Sequence, residues 1–483
     1  MCKLRNTSQV WLTALAAFSL VSTASAQTIV PGPTYCGGTW SHTGNPDYII
    51  TGNCSICANQ TLTIQPGVII WLGSNVTFTA NDALIQAVGT PSQRITIQAA
   101  SSSINFNSIV VQNSYGNTNR FKYCDFANAQ TAISMGVYGN NQVMPVEIMN
   151  CTFSNCVGQA IYGEAQGTAV SACHTSSSTA TLNPVIKNCI FNTSGYGCVM
   201  NIFGQYGTST CGYGNSIGYG YAYPIIMNNI FYNLTGTAFL AEVGSYAGAG
   251  SPVFVNNTVV NSQAGFTAVD PWDATVQDCV FVGCTNAVVD TGTLSRLVSY
   301  NDFYGNVTNF IGYQPTYGQW IIPNRNGTLA DVLYNISQNP LFLATNDFHL
   351  AANSPCVNAG TPNTAYANMC FPPSIATNFP DQGAYGGPDA CNWLDVVPKL
   401  PTQLSLTESN SFLWLNWGSI PRSTYQVQYC ATNFNATSGT NKWLTNTTVI
   451  PANKPVSIAV SPYPTTNSKA FYRVRSLGRT PGN

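Results

Sequence analysis

Four acidic residues recur at one place in a repeated pattern and are the first candidates for chemistry. The stretches AIYGE, AFLAE, FTAVD and AVVD end in Glu164, Glu242, Asp270 and Asp290. If the last three belong to successive turns of one repeat, their backbones should lie about 5 and 10 Å apart, which is one and two strand spacings. Such separations suit the acid and base of glycosidic bond cleavage. They also suit Ca²⁺, which binds clustered carboxylate oxygens.

Asp273 and Trp272 extend this candidate site. Both lie in the stretch VDPWD, directly after Asp270, and an indole face is a natural platform for a sugar ring. We therefore predict Glu242, Asp270, Asp273 and Asp290 as catalytic acids. Glu242, Asp270 and Asp290 are the predicted metal ligands if calcium is the cofactor.

Three further charged residues and Trp272 are predicted to contact substrate. Glu164 belongs to the row of acids, whereas Lys122 and Lys187 lie on the outward face of an earlier strand of the repeat. A basic side chain can meet an acidic glycan or act as a base in lyase chemistry. The alternative is structural, because an acid at a strand end can accept hydrogen bonds from turn amides, and an exposed lysine near a glutamate can form a solvated ion pair.

A repeat of at least 22 residues would position these side chains. Seven copies share an apolar residue, two variable positions, Asn or Cys, one further residue and usually Phe. Their separations of 27, 38, 40, 28, 22 and 22 residues indicate a minimum period that grows by insertion, as in a solenoid. The Asn/Cys position is occupied by Cys124, Cys151, Cys189, Asn229, Asn257, Cys279 and Asn301.

This composition predicts an all-β chain with a right-handed parallel β-helix. Small identical residues can stack from coil to coil at about 4.8 Å, with Asn amides bonding one another and Cys filling the same volume. The regular Leu scaffold of a leucine-rich repeat is missing, and no helical period separates the copies. We predict the β-helix over residues 27–397, with first coils over 37–110, repeat coils over 111–310 and a closing segment over 339–391.

The first strand of the repeat also has an apolar outward face, formed by Val185, Ile225, Met227, Val253 and Val255. Such side chains are rarely left in water, so we expect a long insertion or the C-terminal region to cover them. The Tyr/Gly-rich loop over residues 195–223 is the predicted lid. Its tyrosines could alternatively line a glycan groove.

The N-terminus predicts export. Lys3 and Arg5 precede an apolar run and a small-residue cleavage pattern, so residues 1–26 are predicted to be a signal peptide. Removing both basic residues leaves 14 Lys and Arg against 17 Asp and Glu, a net charge of 14 − 17 = −3, which disfavours nucleic acid as a partner. No later apolar segment is long enough to span a membrane. We expect a secreted or surface-associated monomer whose polar, lightly charged surface suits glycans.

The remaining sixteen cysteines fall into two groups by position. Those of the repeated phrase are predicted to be buried free thiols, whereas those in loops and end segments are predicted to form disulfides in an oxidising compartment. Cys198 and Cys211 are the predicted pair within the Tyr/Gly-rich loop. No Cys/His cluster has the spacing of a zinc site.

The pattern changes after the stretch VPKLP, near residue 400. Clean period-two alternation over roughly 80 residues predicts a small antiparallel β-sandwich over residues 398–478. The stretches STYQVQY and FYRVR resemble fibronectin-type-III-like modules of bacterial exoproteins. Such a module could bind sugar, or serve as a spacer or docking unit.

Two other stretches carry a family resemblance. TLTIQPGVII from Thr61 and ALIQAVGTPSQRITI from Ala83 resemble the first coils of bacterial secreted right-handed parallel β-helix proteins. NPLFLATNDFHLAANSPCVNAG and DQGAYGGPD resemble their closing coil. The resemblance covers roughly residues 37–389 and implies polysaccharide lyases, glycoside hydrolases, epimerases or adhesins. We therefore expect a β-helix that binds or processes extracellular polysaccharide, with a noncatalytic adhesin or structural rod as the alternative.

Overall fold

Parallel coils of three strands each form most of the molecule. The computed structural model describes residues 27–393 except 36, 172, 174–175, 213, 247, 271, 293–295 and 376–378, together with strands between residues 405 and 479. The predicted signal peptide lies outside the described residues. The first coil begins at Thr28, which pairs in parallel with Tyr48, so the coils start earlier than residue 37.

The first strands of the coils form an eleven-stranded sheet. They are Gly38–Trp40, Thr61–Ile64, Leu84–Val88, Asn119–Lys122, Gln142–Met149, Ala180–Lys187, Gly220–Ala222, Ile225–Met227, Val253–Val255, Thr275–Gln277 and Leu297–Ser299.

The second strands form the next side of the coil. They are Thr28–Val30, Tyr48–Ile50, Ile69–Leu72, Ile95–Ala99, Ile190–Asn192, Ile230–Tyr232, Thr258–Val260, Val280–Val282 and Asp302–Tyr304. Two long strands, Cys124–Tyr138 and Thr152–Gln166, bend to serve as both second and third strands of their coils.

The third strands complete each coil and carry the predicted acids. They are Thr34–Tyr35, Cys54–Ile56, Thr77–Asn81, Ser108–Gln112, Tyr196–Phe203, Thr237–Val243, Ala264–Ala268, Asn286–Asp290 and Thr308–Ile311. Because these strands pair in parallel from coil to coil, the predicted parallel β-helix is confirmed. Its right-handed winding stays a prediction.

The Asn/Cys row lies inside the coils, as predicted. Asn229 and Asn257 are fully buried, and the Asn257 Oδ1 accepts both the backbone N–H and the side-chain amide of Asn229, at 2.9 and 3.0 Å. The row extends one coil beyond the seventh copy, since Asn335 accepts the backbone N–H of Asn301 at 3.0 Å. Its cysteines are buried free thiols. The row therefore fixes the turn between first and second strands from coil to coil.

Stacked phenylalanines fill the core beside this row. Phe126, Phe153, Phe191 and Phe231 come from successive coils, with ring centroids 5.0, 4.9 and 4.5 Å apart and nearly parallel planes. One side chain per coil thus meets its equivalent in the next coil. Offset stacking of this kind adds to the apolar burial that holds the coils together.

The residue before each Asn/Cys position has a positive φ, and several of these residues contact the closing segment. Asn228 is left-handed at φ 56° and donates its amide to the carbonyls of Ala384 and Gly386 at 2.9 and 2.6 Å. Asp278, at φ 55°, accepts the backbone N–H of Thr361 at 2.8 Å. Asn tolerates this conformation better than most residues. The closing segment is thus fastened along the outside of one turn.

The apolar outward face of the first strands is only partly covered. Met227 and Val255 are buried, whereas Val185, Ile225 and Val253 are half-buried. The contacts recorded beside this face come from the closing segment, as in the 2.8 Å ion pair between Lys187 and Asp389. That the Tyr/Gly-rich loop or the C-terminal region covers the rest of this face stays a prediction.

The bounds of the remaining elements complete the helical part of the chain. The closing region contains the antiparallel pairs Ile322–Pro323 with Leu329–Ala330 and Phe342–Ala344 with Asp347–Leu350, and the short 3-10 helices Thr364–Tyr366 and Pro388–Asn392. The disulfide between Cys370 and Cys391 ties this region to itself.

Two antiparallel sheets lie in the C-terminal region. One contains Ser405–Ser409, Phe412–Gly418 and Val456–Pro462, and the other Ser423–Cys430, Leu444–Thr445, Ile450–Pro451 and Phe471–Arg479. Their packing into the predicted fibronectin-type-III-like sandwich stays a prediction. Within the described part of the chain, no helix has the length and apolarity needed to cross a membrane.

Candidate functional site

One row of polar residues crosses three successive third strands. Glu164 pairs with Asn201, and Asn201 pairs with Glu242. Their neighbours Ala165 and Ala241 are buried, whereas Glu164 is half-buried and Glu242 is exposed, so the row faces outward. The two glutamate backbones are therefore two strand spacings, or about 10 Å, apart.

Asp290 does not belong to this row. It pairs with Ala268, two residues before Asp270, and its side chain is buried. Because successive strand residues alternate between faces, a one-residue difference in register moves a side chain from the outside to the inside. The prediction that all four acids share one structural place is therefore wrong.

Arg296 forms ion pairs with both Asp270 and Asp290. The side chain of Arg296 is fully buried, with Nη2 3.2 Å from Asp270 Oδ1 and Nη1 in an ion pair with Asp290. The backbone N–H of Gly292 also donates to Asp290, at 2.8 Å. Sequence reasoning missed Arg296, although a single base in an acid-rich stretch is the signal that could have indicated it.

This arrangement does not form the predicted calcium site. Glu242 lies on the outer face, whereas Asp270 and Asp290 are bound to Arg296. Among the described residues, no three His, Cys, Asp or Glu side chains are grouped so as to hold a metal ion. The prediction of Glu242, Asp270 and Asp290 as one set of ligands is wrong because register and ion pairing separate them.

Trp272 is a core residue and not an exposed platform. It is 0% exposed, and its Nε1 donates to the backbone oxygen of Glu242 at 3.0 Å. Gly250 packs against the ring so closely that a Cβ there would lie 2.1 Å from an indole carbon. The predicted sugar-stacking role is wrong for this reason. Asp273, next in sequence, is exposed.

The two predicted substrate-binding lysines are engaged in ion pairs. Lys122 Nζ lies 2.9 Å from Glu147, which also pairs with Arg120. Lys187 Nζ lies 2.8 Å from Asp389 of the closing segment. Both lysines belong to first strands, away from the row of Glu164 and Glu242 on the third strands. They therefore match the structural alternative that the sequence left open.

Two tyrosines surround Glu164. The Tyr162 hydroxyl donates to Glu164 Oε2 at 2.9 Å. The Tyr138 ring folds back over Gly136, where a Cβ would lie 2.6 Å from the hydroxyl oxygen. Burial and the charge of Glu164 raise the pKa of Tyr138 to about 12, and burial raises the pKa of Tyr162 as well. Both phenols therefore stay protonated at neutral pH and can donate hydrogen bonds.

The other end of the row differs in its electrostatics. Glu242 is exposed at its tip, yet the surrounding protein removes enough water to raise the pKa of its carboxyl above the usual value. Between the two glutamates, the Oδ1 of Asn201 is buried and accepts no hydrogen bond in the described structure. The row thus combines an acid whose pKa is raised, a buried amide oxygen without a recorded donor and a carboxylate that accepts a hydrogen bond from a phenol.

Exposed tyrosines lie beyond the ends of these strands. Tyr206 and Tyr246 stack with ring centroids 5.5 Å apart, and both are exposed. Tyr206 belongs to the hairpin formed by Gln205–Gly207 and Ser216–Gly218, which continues from the strand that carries Asn201. This hairpin occupies much of the predicted Tyr/Gly-rich loop. The stacked Tyr206 and Tyr246 follow the strands that carry Asn201 and Glu242.

A disulfide fixes this hairpin to its neighbour. Cys173 pairs with Cys211, joining the hairpin to a second one formed by Thr168–Val170 and Ser176–Ser178. The predicted pairing of Cys198 with Cys211 is wrong because Cys198 is a buried free thiol of the third strand. Cys54 is also disulfide-bonded, whereas Cys57 and Cys356 are free thiols, against the prediction for cysteines outside the repeated phrase. The disulfides are consistent with an oxidising compartment.

Comparisons with known proteins add little to this geometry. No family model matches the sequence, and no curated protein matches it. Among solved structures, the chain is similar to one described as pectate lyase Pel9A, with 12% identity over 76% of this chain and 90% of that chain and a TM-score of 0.33. We draw no argument about activity from a likeness at that level.

Proposed function

We propose that this chain binds an extracellular polysaccharide along the outward face of its third strands and cleaves it with Glu164 and Glu242. The observation that carries the proposal is their register, with Asn201 between them. Inverting glycoside hydrolases keep their two carboxyl groups about 6.5–9.5 Å apart, leaving room for a water molecule. Two strand spacings of about 10 Å between backbones allow side chains to reach that separation.

The two glutamates would have different roles. Glu242, whose carboxyl pKa is raised, is suited to protonate the glycosidic oxygen of the leaving sugar. Glu164, which accepts the Tyr162 hydroxyl at 2.9 Å, is placed to take a proton from the attacking water. The proton balance closes because one carboxyl gives a proton to the leaving group and the other receives one from water. The product should have inverted anomeric configuration.

The surroundings favour a neutral glycan as substrate. The next row on these strands pairs Tyr162 with Val199 and Val199 with Leu240, and all three residues are uncharged, with Val199 buried between the other two. The side chain of Asn201, between the two glutamates, is uncharged and half-buried. Tyr206 supplies an exposed aromatic surface at the strand end. Two carboxylates in this row would repel a polyuronate.

Other predicted residues take different places in this proposal. Asp273 is exposed and remains a candidate acid outside the row. Asp270 and Asp290 would act only in shaping the neighbouring coil through Arg296. Calcium is not required by the proposed reaction, because both proton transfers use side chains.

The alternative is a noncatalytic adhesin or structural rod. Trp272 in the core and the ion pairs of Arg296 favour it, since three of the residues first predicted for the site, Trp272, Asp270 and Asp290, serve the packing of one coil. The two hypotheses differ in what Glu164 and Glu242 do. In a rod, replacing either residue changes neither bond cleavage nor product.

The test is a screen of the mature protein against neutral and anionic polysaccharides, with and without Ca²⁺. We expect new reducing ends from a neutral polymer, no unsaturated ends and no calcium requirement. Glu164→Gln and Glu242→Gln should each lower kcat by about 10²–10⁴-fold, as expected for loss of a general acid or base. Glu147→Gln, on a first strand, is the matched control and should keep full activity.

Three outcomes would contradict the proposal in different ways. Full activity in both glutamine variants would remove Glu164 and Glu242 from the chemistry. Loss of activity only in Asp273→Asn would move the site to that residue. Binding to a polysaccharide without cleavage of any polymer would favour the adhesin.

A further inference from the structure

A cavity opens where the third strands of the first coils turn into the first strands. Its volume is about 210 Å³, and three successive turns near residues 60, 83 and 115 form its walls. Backbone hydrogen bonds join the turns, since the N–H of Asn59 donates to Asp82 at 2.7 Å and that of Leu84 donates to Gln60 at 3.0 Å. Sites for drug-sized ligands occupy about 300–1,000 Å³, so this cavity suits one small ring.

Asp82 brings an unpaired carboxylate to this cavity. Its Oδ1 is buried, and its side chain forms no hydrogen bond or ion pair within the described part of the chain. A carboxylate that is partly removed from water without a donor is costly, so the cavity favours a ligand with hydroxyl donors. None of the residues that line the cavity is Lys or Arg. An acidic sugar would therefore bring a second negative charge with no cation to balance it.

An exposed tyrosine forms one wall of the cavity. Tyr115 is 57% exposed and has a positive φ of 48°, a conformation that Asn or Gly adopts at lower cost. Its loop is braced, because the Ser114 hydroxyl donates to the Asn117 carbonyl at 2.6 Å and the Asn117 amide donates to the Ser114 carbonyl at 3.3 Å. The chain thus keeps an aromatic ring at the cavity against its backbone preference, which points to a role other than folding.

The cavity begins where the outward row of the third strands begins. Asn81, directly before Asp82, pairs with Gln112. Gln112 pairs with Gly136, and Gly136 pairs with Glu164. The row therefore runs unbroken over three strand spacings, about 14 Å, from Asn81 to Glu164. An extended polymer lying along it would reach both the cavity and the glutamate.

We propose that the cavity is a subsite that binds one sugar of a neutral polysaccharide, whose chain continues along the row to Glu164. Tyr115 would pack against the apolar face of the sugar ring. Asp82 would accept hydrogen bonds from its hydroxyls, beside the exposed side-chain amides of Asn59 and Gln60. Only the continuation of the polymer to Glu164 rests on the proposed function, because binding in the cavity requires no cleavage.

The test measures binding of xylohexaose, cellohexaose, mannohexaose and galactohexaose to the full mature chain by calorimetry, with and without Ca²⁺. Every titration uses the Glu242→Gln background, so that no ligand is cleaved. We expect at least one hexasaccharide to bind without calcium. Adding Asp82→Asn or Tyr115→Asn should weaken that binding by about tenfold, since one removes a charge-assisted contact and the other an aromatic face.

Two further variants separate binding from folding. Tyr115→Phe keeps the ring and should bind as the parent chain does. Tyr115→Asn should unfold at no lower temperature than the parent, because Asn suits the left-handed backbone. Tyr334→Asn is the matched control, since Tyr334 is also an exposed tyrosine with a positive φ, of 61°, but lies in the closing region. It should leave the affinity unchanged.

Unchanged affinity in both Asp82→Asn and Tyr115→Asn would overturn the subsite. So would failure of all four hexasaccharides to bind. Calcium binding that is lost in Asp82→Asn and kept in Tyr115→Asn would replace the sugar with a cation.

Activity separates the subsite from the proposed cleavage. With Glu164 and Glu242 intact, Asp82→Asn should raise KM for a long neutral polymer by about tenfold and leave kcat unchanged. Cleavage with an unchanged KM would remove the subsite and keep the glutamates. Weakened binding in the cavity variants of a chain that cleaves no polymer would keep the subsite and contradict the cleavage.

Discussion

Two pairs of acids occupy neighbouring coils of this β-helix and have opposite environments. Glu164 and Glu242 face outward in one register row, and no cation is paired with either among the described residues. Asp270 and Asp290 are held by the buried guanidinium of Arg296. The sequence assigns all four to equivalent strand ends. Their difference shows that the face of the strand and the nearest counterion decide what an acid can do.

The physical cause of the difference is one residue of turn length. Phe239 is ten residues after the Asn/Cys position of its coil, whereas its partner Phe266 is nine residues after its own. The turn between second and third strands is therefore one residue longer in one coil than in the next. Since strand faces alternate with every residue, a count along the chain places an acid correctly only if all turns have equal length.

The largest expected effect comes from removing Arg296, the cation that pairs with Asp270 and Asp290. Arg296→Met leaves Asp290 buried without its partner and should lower the free energy of unfolding by about 3–5 kcal/mol. Chemical denaturation measures this. Replacing all three charges, as Arg296→Met with Asp270→Asn and Asp290→Leu, should recover most of the loss. Wild-type stability in the single variant would show that Arg296 does not stabilise the charges of Asp270 and Asp290.

Asp302 extends the comparison to a buried acid that forms no ion pair with any of the described residues. It accepts the Gln338 backbone N–H at 2.9 Å and the Cys356 thiol at 3.2 Å, and burial raises its pKa to about 7. Between pH 4 and 7 the unfolded chain releases this proton while the folded chain keeps it. Stability should therefore fall as pH rises through this window, by about 1 kcal/mol per pH unit and about 4 kcal/mol in all.

Asp302→Asn should remove that contribution. Its stability should exceed that of wild type at pH 8, with a smaller difference at pH 4, where both forms carry a neutral side chain. Asp273→Asn, at an exposed position, is the control and should keep the slope of wild type. An Asp302→Asn variant with the same slope as wild type would contradict the assignment. The measurement is denaturant unfolding at pH 4, 6 and 8.

The repeated phrase predicted the interior well because its residues interact with copies of themselves. Asn229 and Asn257 bond each other across coils, so the requirement at one position is visible at the next. The phrase did not indicate the closing segment's contacts. Asn228, one residue earlier, bonds Ala384 more than 150 residues away, and nothing local in the sequence marks that partner.

The outer site was predicted only in part for the same reason. Glu164 and Glu242 were identified by counting, but Asn201 was missed because it is neutral and lies twelve residues, not thirteen, after its Asn/Cys position. Tyr162 and Tyr138 were missed because their role depends on the side chain of Glu164. Trp272 shows the opposite error. Its indole ring suggested a platform for a sugar, whereas packing places the ring in the core.

The smallest expected effect concerns Glu242, one of the two outward-facing acids, and the stability of the folded chain. Burial raises the pKa of Glu242, so its ionised form is slightly disfavoured in the folded chain and stability falls as pH rises through the carboxyl range. Glu242→Gln should therefore raise stability at neutral pH by a fraction of a kcal/mol, since solvent screens an exposed group. A thermal melt at pH 7 beside Glu147→Gln, which loses two ion pairs and should not gain stability, measures the difference. A clear loss of stability in Glu242→Gln would mean that a favourable partner stabilises this carboxylate in the folded chain. A gain in stability together with lost cleavage would mark Glu242 as a residue kept for chemistry at a cost to the fold.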